Sequence, residues 1–184
     1  MAHVCPWWIG YLLASPLRRW FQDPSRIVSP YAKQGLTVLE PGPGMGFFTL
    51  ELARMVGPFG RVVAVDIQPK MLAVLQRRAG RAGLADRIDA RLAQADSMGL
   101  TDLAGAFDLV WAFAVVHELP DAGRFFGEAA AALKHGGSLL LAEPSGHVKK
   151  EAFEGELKLA AEAGLVLEAR PSIRRSHSAL LRKP

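Results

Sequence analysis

Three glycines and two carboxylates between residues 40 and 66 have the types and the spacing of a nucleotide-cofactor site. Glu40 follows a short apolar run and precedes Gly42, Gly44 and Gly46. Glycines at this spacing let the backbone turn sharply after a strand and let a ligand approach, at points where a side chain is expected to collide. Asp66 ends a second, β-branched run 20 residues after Gly46. In open α/β sheets a carboxylate at such a place accepts hydrogen bonds from ribose hydroxyls, so the pattern predicts a nucleotide-like cofactor.

The carboxylate before the first glycine indicates the charge of this ligand. The spacing is Gly-x-Gly-x-Gly rather than the Gly-x-Gly-x-x-Gly of dinucleotide binders. Glu40 offers nothing to a pyrophosphate, so the expected ligand carries a positively charged group. Two simpler interpretations stay open: the glycine run is only a turn, and Asp66 only caps a helix.

The run from residue 37 to residue 49 resembles motif I of the class I S-adenosylmethionine-dependent methyltransferases. The chain is most similar to the small-molecule, ubiquinone/menaquinone-biosynthesis-like branch of that family, and the matching motifs extend over residues 36–145. The resemblance implies S-adenosylmethionine as the cofactor and S-adenosylhomocysteine as its product. It also implies that Glu40 lies near the methionine end of the cofactor and that Asp66, with Ile67 beside it, lies at the ribose.

Two later turns carry the remaining candidate site residues. Asp96 and Ser97 follow a predicted strand at 88–94, and the resemblance implies that they contact the adenine amino group and ring. Ala112 begins the turn that ends at His117, after a strand predicted for 107–111, and would lie beside the sulfonium and the acceptor. His117 is the predicted catalytic residue, as a base or by orienting the acceptor. A helix-capping role for Asp96 and a structural role for His117 stay open.

Strands and helices alternate from Leu36 onwards, which predicts an α/β fold with a single doubly wound, mostly parallel, seven-stranded, Rossmann-like sheet. A C-terminal antiparallel hairpin and a short aromatic N-terminal extension complete the prediction. Glycines are expected to follow the helix ends. The predicted helices are 48–56, 69–82, 122–134 and 148–163, with Gly57, Gly83, Gly136 and Gly164 at their ends, and the hairpin strands are 165–170 and 176–183.

Residues 1–35 are predicted to be an N-terminal extension of one methyltransferase domain that spans residues 1–184, with residues 36–184 as its Rossmann-like core. Aromatic residues are concentrated in the extension, so it could cover a small or apolar acceptor as a lid. Packing of these residues on the sheet or on a dimer partner is the alternative. The residues concerned are His3, Cys5, Trp7, Trp8, Tyr11, Trp20, Phe21 and Tyr31.

Composition is consistent with one domain of 184 residues, 50% of them hydrophobic. The single cysteine, Cys5, excludes an internal disulfide, and no basic segment precedes the first apolar run, so we expect a cytoplasmic protein.

Residues 7–17 are too short to span a bilayer but leave peripheral membrane contact open. His3 and Cys5 are too few ligands for a zinc site, so no metal is expected.

The predicted function is transfer of a methyl group by in-line displacement to an unidentified, small or apolar acceptor, by a monomer or homodimer. Nucleic acid is not the expected substrate, because strand four lacks the Asp/Asn-Pro-Pro-aromatic motif of amino methyltransferases. Two alternatives stay open. One is a cofactor-binding scaffold or sensor without transfer activity. The other is an RNA or protein methyltransferase that uses the basic residues Arg170, Arg174, Arg175, Arg182 and Lys183.

Overall fold

The computed structural model describes residues 22–94 and 96–184. The predictions for residues 7–17 and for His3, Cys5, Trp7, Trp8, Tyr11, Trp20 and Phe21 lie outside the described residues. Contacts divide the described chain into two compact units, residues 22–93 and residues 94–184. The prediction of a single domain stays a prediction.

The first unit is a three-stranded parallel sheet with its helices. Strand β2 pairs with β1 on one side and β3 on the other, and Asp66 at the end of β2 pairs in register with Leu92 at the end of β3. In chain order the elements are α1 (Pro24–Val28), β1 (Thr37–Pro41), α2 (Thr49–Val56), β2 (Arg61–Asp66), α3 (Pro69–Arg81) and β3 (Ile88–Leu92).

Buried apolar side chains explain why these segments form strands of a parallel sheet. In β1 four of five residues are buried, and in β2 five of six, as expected for parallel strands covered by helices. Helix α3 begins at Pro69, which is tolerated in a first helical turn. Leu72 and Leu75 of α3 pack on Ala64 of β2. The parallel pairing of β1 with β2, in which Pro41 lies opposite Val65, places the carboxyl ends of the two strands next to each other.

The second unit contains the other four strands. Strands β4 and β5 are parallel, β5 and β7 are antiparallel, and β6 and β7 form an antiparallel hairpin. In chain order its elements are β4 (Phe107–Phe113), α4 (Ala122–Ala132), β5 (Leu133–Pro144), α5 (Lys150–Glu162), β6 (Val166–Ala169) and β7 (Ser176–Arg182).

The strand order is β3-β2-β1-β4-β5-β7-β6 in one seven-stranded sheet. The sheet is parallel except for β7, which runs antiparallel to both of its neighbours β5 and β6, so the predicted fold class with its C-terminal hairpin is confirmed. No helix among residues 22–94 and 96–184 is both long enough and apolar enough to cross a membrane.

Four predicted boundaries were wrong by two residues or more. Helix α5 begins at Lys150 rather than at residue 148. Helix α4 ends at Ala132, four residues before Gly136, because the buried Leu133 leaves the helix to pair with Phe107 of β4. Strand β4 continues to Phe113, because Ala112 and Phe113 pair with β5, so Ala112 is the penultimate residue of a strand rather than the start of a turn. Strand β3 ends at Leu92 rather than at residue 94.

We expect Gly60→Ala to destabilise the first unit. A Cβ at Gly60, just before β2, would lie 2.6 Å from the Val56 carbonyl oxygen and 2.7 Å from the Leu36 carbonyl oxygen, and backbone atoms cannot move aside as a flexible side chain can. Chemical denaturation should show a loss of about 2 kcal/mol in the free energy of unfolding. As a control, Gly80→Ala on α3 meets no atom within 4 Å and should gain about 0.5–1 kcal/mol. Equal stabilities for the two variants would contradict this account of the entry into β2.

Candidate functional site

The loop between β1 and α2 is a tight turn that requires glycine. Gly42, Gly44 and Gly46 have φ angles of 64°, 55° and 83°, a region that L side chains rarely adopt. The Gly42 N–H donates to the Val65 carbonyl at 2.9 Å, and the Gly46 N–H donates to the Pro43 carbonyl at 2.9 Å. One hydrogen bond therefore joins the loop to the end of β2, and the other closes a turn within the loop.

The predicted collision of side chains in this loop holds at Gly46 but was wrong for Gly44. A Cβ at Gly46 would clash with the Cδ1 atom of Leu75 on α3. A Cβ at Gly44 would meet no described atom within 4 Å. The backbone at Gly44 faces open space, as it must if a ligand is to approach it closely.

Glu40 is a buried carboxyl group whose second oxygen has no partner in the described part of the chain. The residue is 3% exposed, and Oε2 accepts no hydrogen bond from the described residues. Burial raises the pKa of Glu40 to about 8, the nearby Thr49 hydroxyl lowers it in part, and the charge of Asp66 raises it further. Without a ligand the side chain is mostly protonated at neutral pH. A cationic group beside it would favour the ionised form.

Asp66 ends β2 and is 8% exposed. Its Oδ1 accepts the Gln68 N–H at 2.8 Å, which fixes the carboxylate at the entry to α3. The first residue after it, Ile67, has 41% of its surface exposed, and Leu92 at the end of β3 has 62%. This strand edge thus combines a carboxylate with two exposed apolar side chains. Leu92 was not among the residues that the sequence suggested.

In the second unit the turn at Asp96 and Ser97 is fixed by α4. The Asp96 carboxylate is 67% exposed and pairs with Arg124 at 3.2 Å, and Ser97 pairs through its backbone with Gln94. The Ser97 hydroxyl accepts the Gly99 N–H at 3.1 Å. Asp96 caps no helix in the described part of the chain, so that alternative is wrong. Its contact with adenine stays a prediction.

His117 lies in a short 3₁₀ turn after β4, against a carboxylate at the end of β5. Its Nδ1 contacts Oε2 of Glu143, whose side chain is completely buried. The other oxygen, Oε1, accepts the N–H groups of Val115 at 3.2 Å and Val116 at 2.8 Å. Ala112, the residue predicted to begin this turn, is fully buried inside β4. The turn that carries His117 is thus tied to Glu143 at three points.

The pairing with Glu143 makes His117 more basic. The hydrogen bond to Glu143 raises the pKa of His117, burial opposes the shift, and the charges of Glu143, Glu118 and Glu156 add to it. The His117 side chain keeps 24% of its surface exposed, and its Nε2 lies 4.0 Å from Oε1 of Glu118. A half-buried imidazole with a raised pKa and a fixed Nδ1 is suited to proton transfer through Nε2.

A second buried acid lies close to this pair. Glu156 of α5 is 9% exposed, and its Oε2 has no hydrogen-bond partner among the described residues. Burial and the charge of Glu143 raise the pKa of Glu156 to about 7, while His117 lowers it. The ring of His147 lies 6.4 Å from that of His117, centre to centre. Four titratable side chains therefore form one cluster, although the described residues contain no group of three or more that could hold a metal.

Sequence reasoning missed Glu143, Glu156 and His147, although the sequence carried a signal for the first two. Glu143 ends an apolar run, as Glu40 and Asp66 do. Glu156 shares the buried face of α5 with apolar residues at helical spacing. A buried acid at such a place needs a hydrogen-bond partner or must keep its proton. Both glutamates could therefore have been predicted as candidate site residues.

Known proteins similar to this chain include several methyltransferases. A family model described as a methyltransferase domain matches residues 39–141. A catechol O-methyltransferase from Mycobacterium tuberculosis is 44% identical over 80 residues, which is 44% of this chain and 36% of that protein. A ubiquinone/menaquinone biosynthesis C-methyltransferase from Hahella chejuensis is 30% identical over 66% of this chain and 49% of its own length.

A solved structure adds a match over the whole chain. The crystal structure of a SAM-dependent methyltransferase from Aquifex aeolicus aligns with a TM-score of 0.86 over 98% of this chain and 100% of that one, at 22% identity, which shows the fold alone. The matched segments cover less than half of the two curated relatives. The family model matches more than half of this chain, so the chain belongs to the S-adenosylmethionine-dependent methyltransferase family of class I.

The residues of the first unit fit the cofactor of this family. The unpaired, buried Oε2 of Glu40 suits an ammonium group, and the open space at Gly44 suits close approach of the methionine portion. Asp66 ends β2 where a ribose is expected, and the exposed Ile67 offers an apolar surface for a flat base.

Replacing Glu40 by glutamine should change how stability depends on pH. Because the folded-state pKa of about 8 exceeds the ordinary value of 4.5, the proton on Glu40 stabilises the fold fully below pH 4.5, and this stabilisation is lost as pH rises through 8. Glu40→Gln keeps a neutral side chain at every pH. Between about pH 5 and pH 9 its free energy of unfolding should therefore rise relative to the wild type by on the order of a few kcal/mol.

Urea denaturation at about pH 5, 7 and 9 measures this difference. The matched control is Glu154→Gln, since Glu154 is exposed and its pKa is lowered by Arg170, which confines its titration to more acidic pH. A stability difference between Glu40→Gln and the wild type that stays constant from pH 5 to pH 9 would mean that Glu40 is ionised throughout.

Proposed function

We propose that the protein transfers the methyl group of S-adenosylmethionine to a small molecule that gives up a proton to His117. The proposal rests above all on the contact between His117 and the buried Glu143, which leaves Nε2 as the ring nitrogen for an acceptor. The residues proposed for the cofactor are Glu40, Gly42, Gly44, Gly46, Asp66, Ile67, Asp96, Ser97 and Ala112.

The protein groups have separate tasks. When bound, S-adenosylmethionine supplies a methyl group that its sulfonium already makes electrophilic. Glu40 accepts hydrogen bonds from the ammonium group, and Asp66 accepts them from the ribose hydroxyls. His117 accepts the proton of the acceptor as methyl transfer proceeds, and Glu143 stabilises the imidazolium that results.

A hydroxyl-bearing aromatic acceptor agrees best with a histidine base. A hydroxyl group attacks the methyl carbon more readily as its proton is taken up, whereas a thioether or a tertiary amine has no proton to lose. Several of the similar proteins are named for O-methylation, among them the catechol O-methyltransferase and a ubiquinone biosynthesis O-methyltransferase from Paramagnetospirillum magneticum, which is 36% identical over 104 residues. Catechols and quinols are therefore the first acceptors to test.

The basic residues of the C-terminal region do not favour an RNA substrate. Arg170 forms a two-pronged ion pair with Glu154, at 2.7 and 2.8 Å, and Arg182 lies 3.7 Å from Glu168. The Lys183 ammonium donates to the Leu133 carbonyl at 2.7 Å. Three of the five basic residues thus have partners within the protein, which weakens the case for a phosphate-binding surface.

The test is acceptor-dependent formation of S-adenosylhomocysteine. We expect purified protein to produce it from S-adenosylmethionine with a catechol or quinol, and kcat to rise with pH through the raised pKa of His117, because the neutral imidazole is the base. His117→Gln should lower kcat roughly 100-fold or more and remove this pH dependence. It should leave binding of S-adenosylhomocysteine unchanged.

His135→Gln is the matched control, since His135 is exposed and its Nδ1 contacts the Pro184 carbonyl. Its activity and pH profile should equal those of the wild type. If His117→Gln retains wild-type turnover from pH 6 to pH 9, His117 is not the base. If the protein binds S-adenosylhomocysteine but no acceptor raises its production, the scaffold alternative gains support.

A further inference from the structure

We propose that Glu143 is a positioning residue, which holds both the imidazole ring of His117 and the backbone turn that carries it, so that Nε2 is presented to the acceptor. This inference rests on the proposed function for its chemical meaning. Its geometry is independent of that function, since Glu143 joins the end of β5 to the turn after β4 through three contacts. Each of its two carboxylate oxygens has a distinct task.

The first oxygen holds the turn. Oε1 accepts the N–H groups of Val115 and Val116, residues that are only 8% and 2% exposed. Without Glu143 these buried donors would lose their partner, which is costly for a backbone amide. The preceding residue, Ala114, has a φ angle of 56°, a conformation that alanine avoids unless its surroundings impose it. The Ala114 N–H also donates to the carbonyl of Ala142, next to Glu143, at 2.7 Å.

The second oxygen holds the ring. Oε2 contacts Nδ1 of His117, and an acceptor at this place selects the neutral tautomer that has its proton on Nδ1. The lone pair of Nε2 then remains for a proton from the acceptor. The same contact is the leading reason that the pKa of His117 is raised. Glu143 therefore sets the tautomer, the orientation and the basicity of the ring together.

Other charged and titratable groups also face His117. Glu118 lies 4.0 Å from Nε2, and Glu156 interacts with the ring through its charge from α5. His147 lies with its ring 6.4 Å away. Among the described residues only Glu143 makes a hydrogen bond to the ring of His117. Replacement of Glu156 by glutamine should thus change the electrostatic field at His117 without releasing its ring.

Two substitutions separate the tasks of Glu143. Glutamine has one carbonyl oxygen and one amide nitrogen, so Glu143→Gln can keep the oxygen toward Val115 and Val116 and place the nitrogen toward His117. It should preserve the turn and, because an amide N–H donates to Nδ1, it should favour the neutral ring that carries its proton on Nε2. Glu143→Ala removes all three contacts and should loosen the turn as well.

The deciding measurement is an NMR titration of the His117 ring nitrogens in the full chain. In the wild type we expect Nδ1 to carry the proton in the neutral form and the pKa to lie above the ordinary value of 6.5. In Glu143→Gln the pKa should fall and the Nδ1 tautomer should no longer dominate. Glu156→Gln should lower the pKa less and keep the tautomer, and Glu162→Gln, an exposed site on the same helix, should change neither.

Kinetics and binding give the second readout. Glu143→Gln should lower kcat about tenfold or more, and the midpoint of its pH profile should shift with the His117 titration. Its affinity for S-adenosylhomocysteine should match that of the wild type. An unchanged His117 titration in Glu143→Gln overturns the proposal, and so does a wild-type ring whose neutral form carries its proton on Nε2.

The tautomer of His117 in the wild-type protein tests the positioning role of Glu143 even if both Glu143 variants fail to fold. A failure of the proposed function has a different signature. In that case His117 would titrate and respond to Glu143→Gln as described, but no acceptor would raise production of S-adenosylhomocysteine.

Discussion

The site depends on the burial of carboxyl groups at the ends of apolar strands. A carboxyl group in such surroundings must either accept hydrogen bonds or keep its proton, because an ion without partners is too costly there. Glu143 accepts hydrogen bonds through both oxygens, whereas Glu40 has a pKa of about 8 and one oxygen that no described residue contacts by a hydrogen bond. The same residue type therefore has two roles. One glutamate fixes the structure around His117, and the other stays available for a ligand.

The difference between these two glutamates comes from the turns that follow their strands. After β5, Glu143 meets two backbone N–H groups and an imidazole from the turn after β4. After β1, the glycine loop directs its own N–H groups at Gly42 and Gly46 to the carbonyls of Val65 and Pro43. These two N–H groups therefore have backbone partners and do not donate to Glu40. A cationic ligand would give Glu40 the partner that residues 22–94 and 96–184 do not supply.

Local patterns in the sequence were sufficient for the fold and for part of the site. The glycine loop, the burial of β1 and β2 and the position of Asp66 depend on short-range spacing and were all predicted. The pairing of His117 with Glu143 joins residues 26 positions apart and depends on which strands are neighbours. The end of α4 and the pairing of Asp96 with Arg124 depend on tertiary contacts in the same way. Such contacts compete with local propensity and leave no periodic pattern in the sequence.

Calorimetric titration with S-adenosylhomocysteine in buffers of different ionisation enthalpy tests the central claim most directly. If Glu40 is protonated until a cationic ligand arrives, binding near pH 7 should be micromolar, about −8 kcal/mol, and should release close to one proton. The observed enthalpy would then vary with the buffer for the wild type and not for Glu40→Gln. No binding would contradict the claim that the Glu40 carboxyl group is kept for the ligand. A wild-type enthalpy that is the same in every buffer would contradict the claim that Glu40 keeps its proton until the ligand arrives.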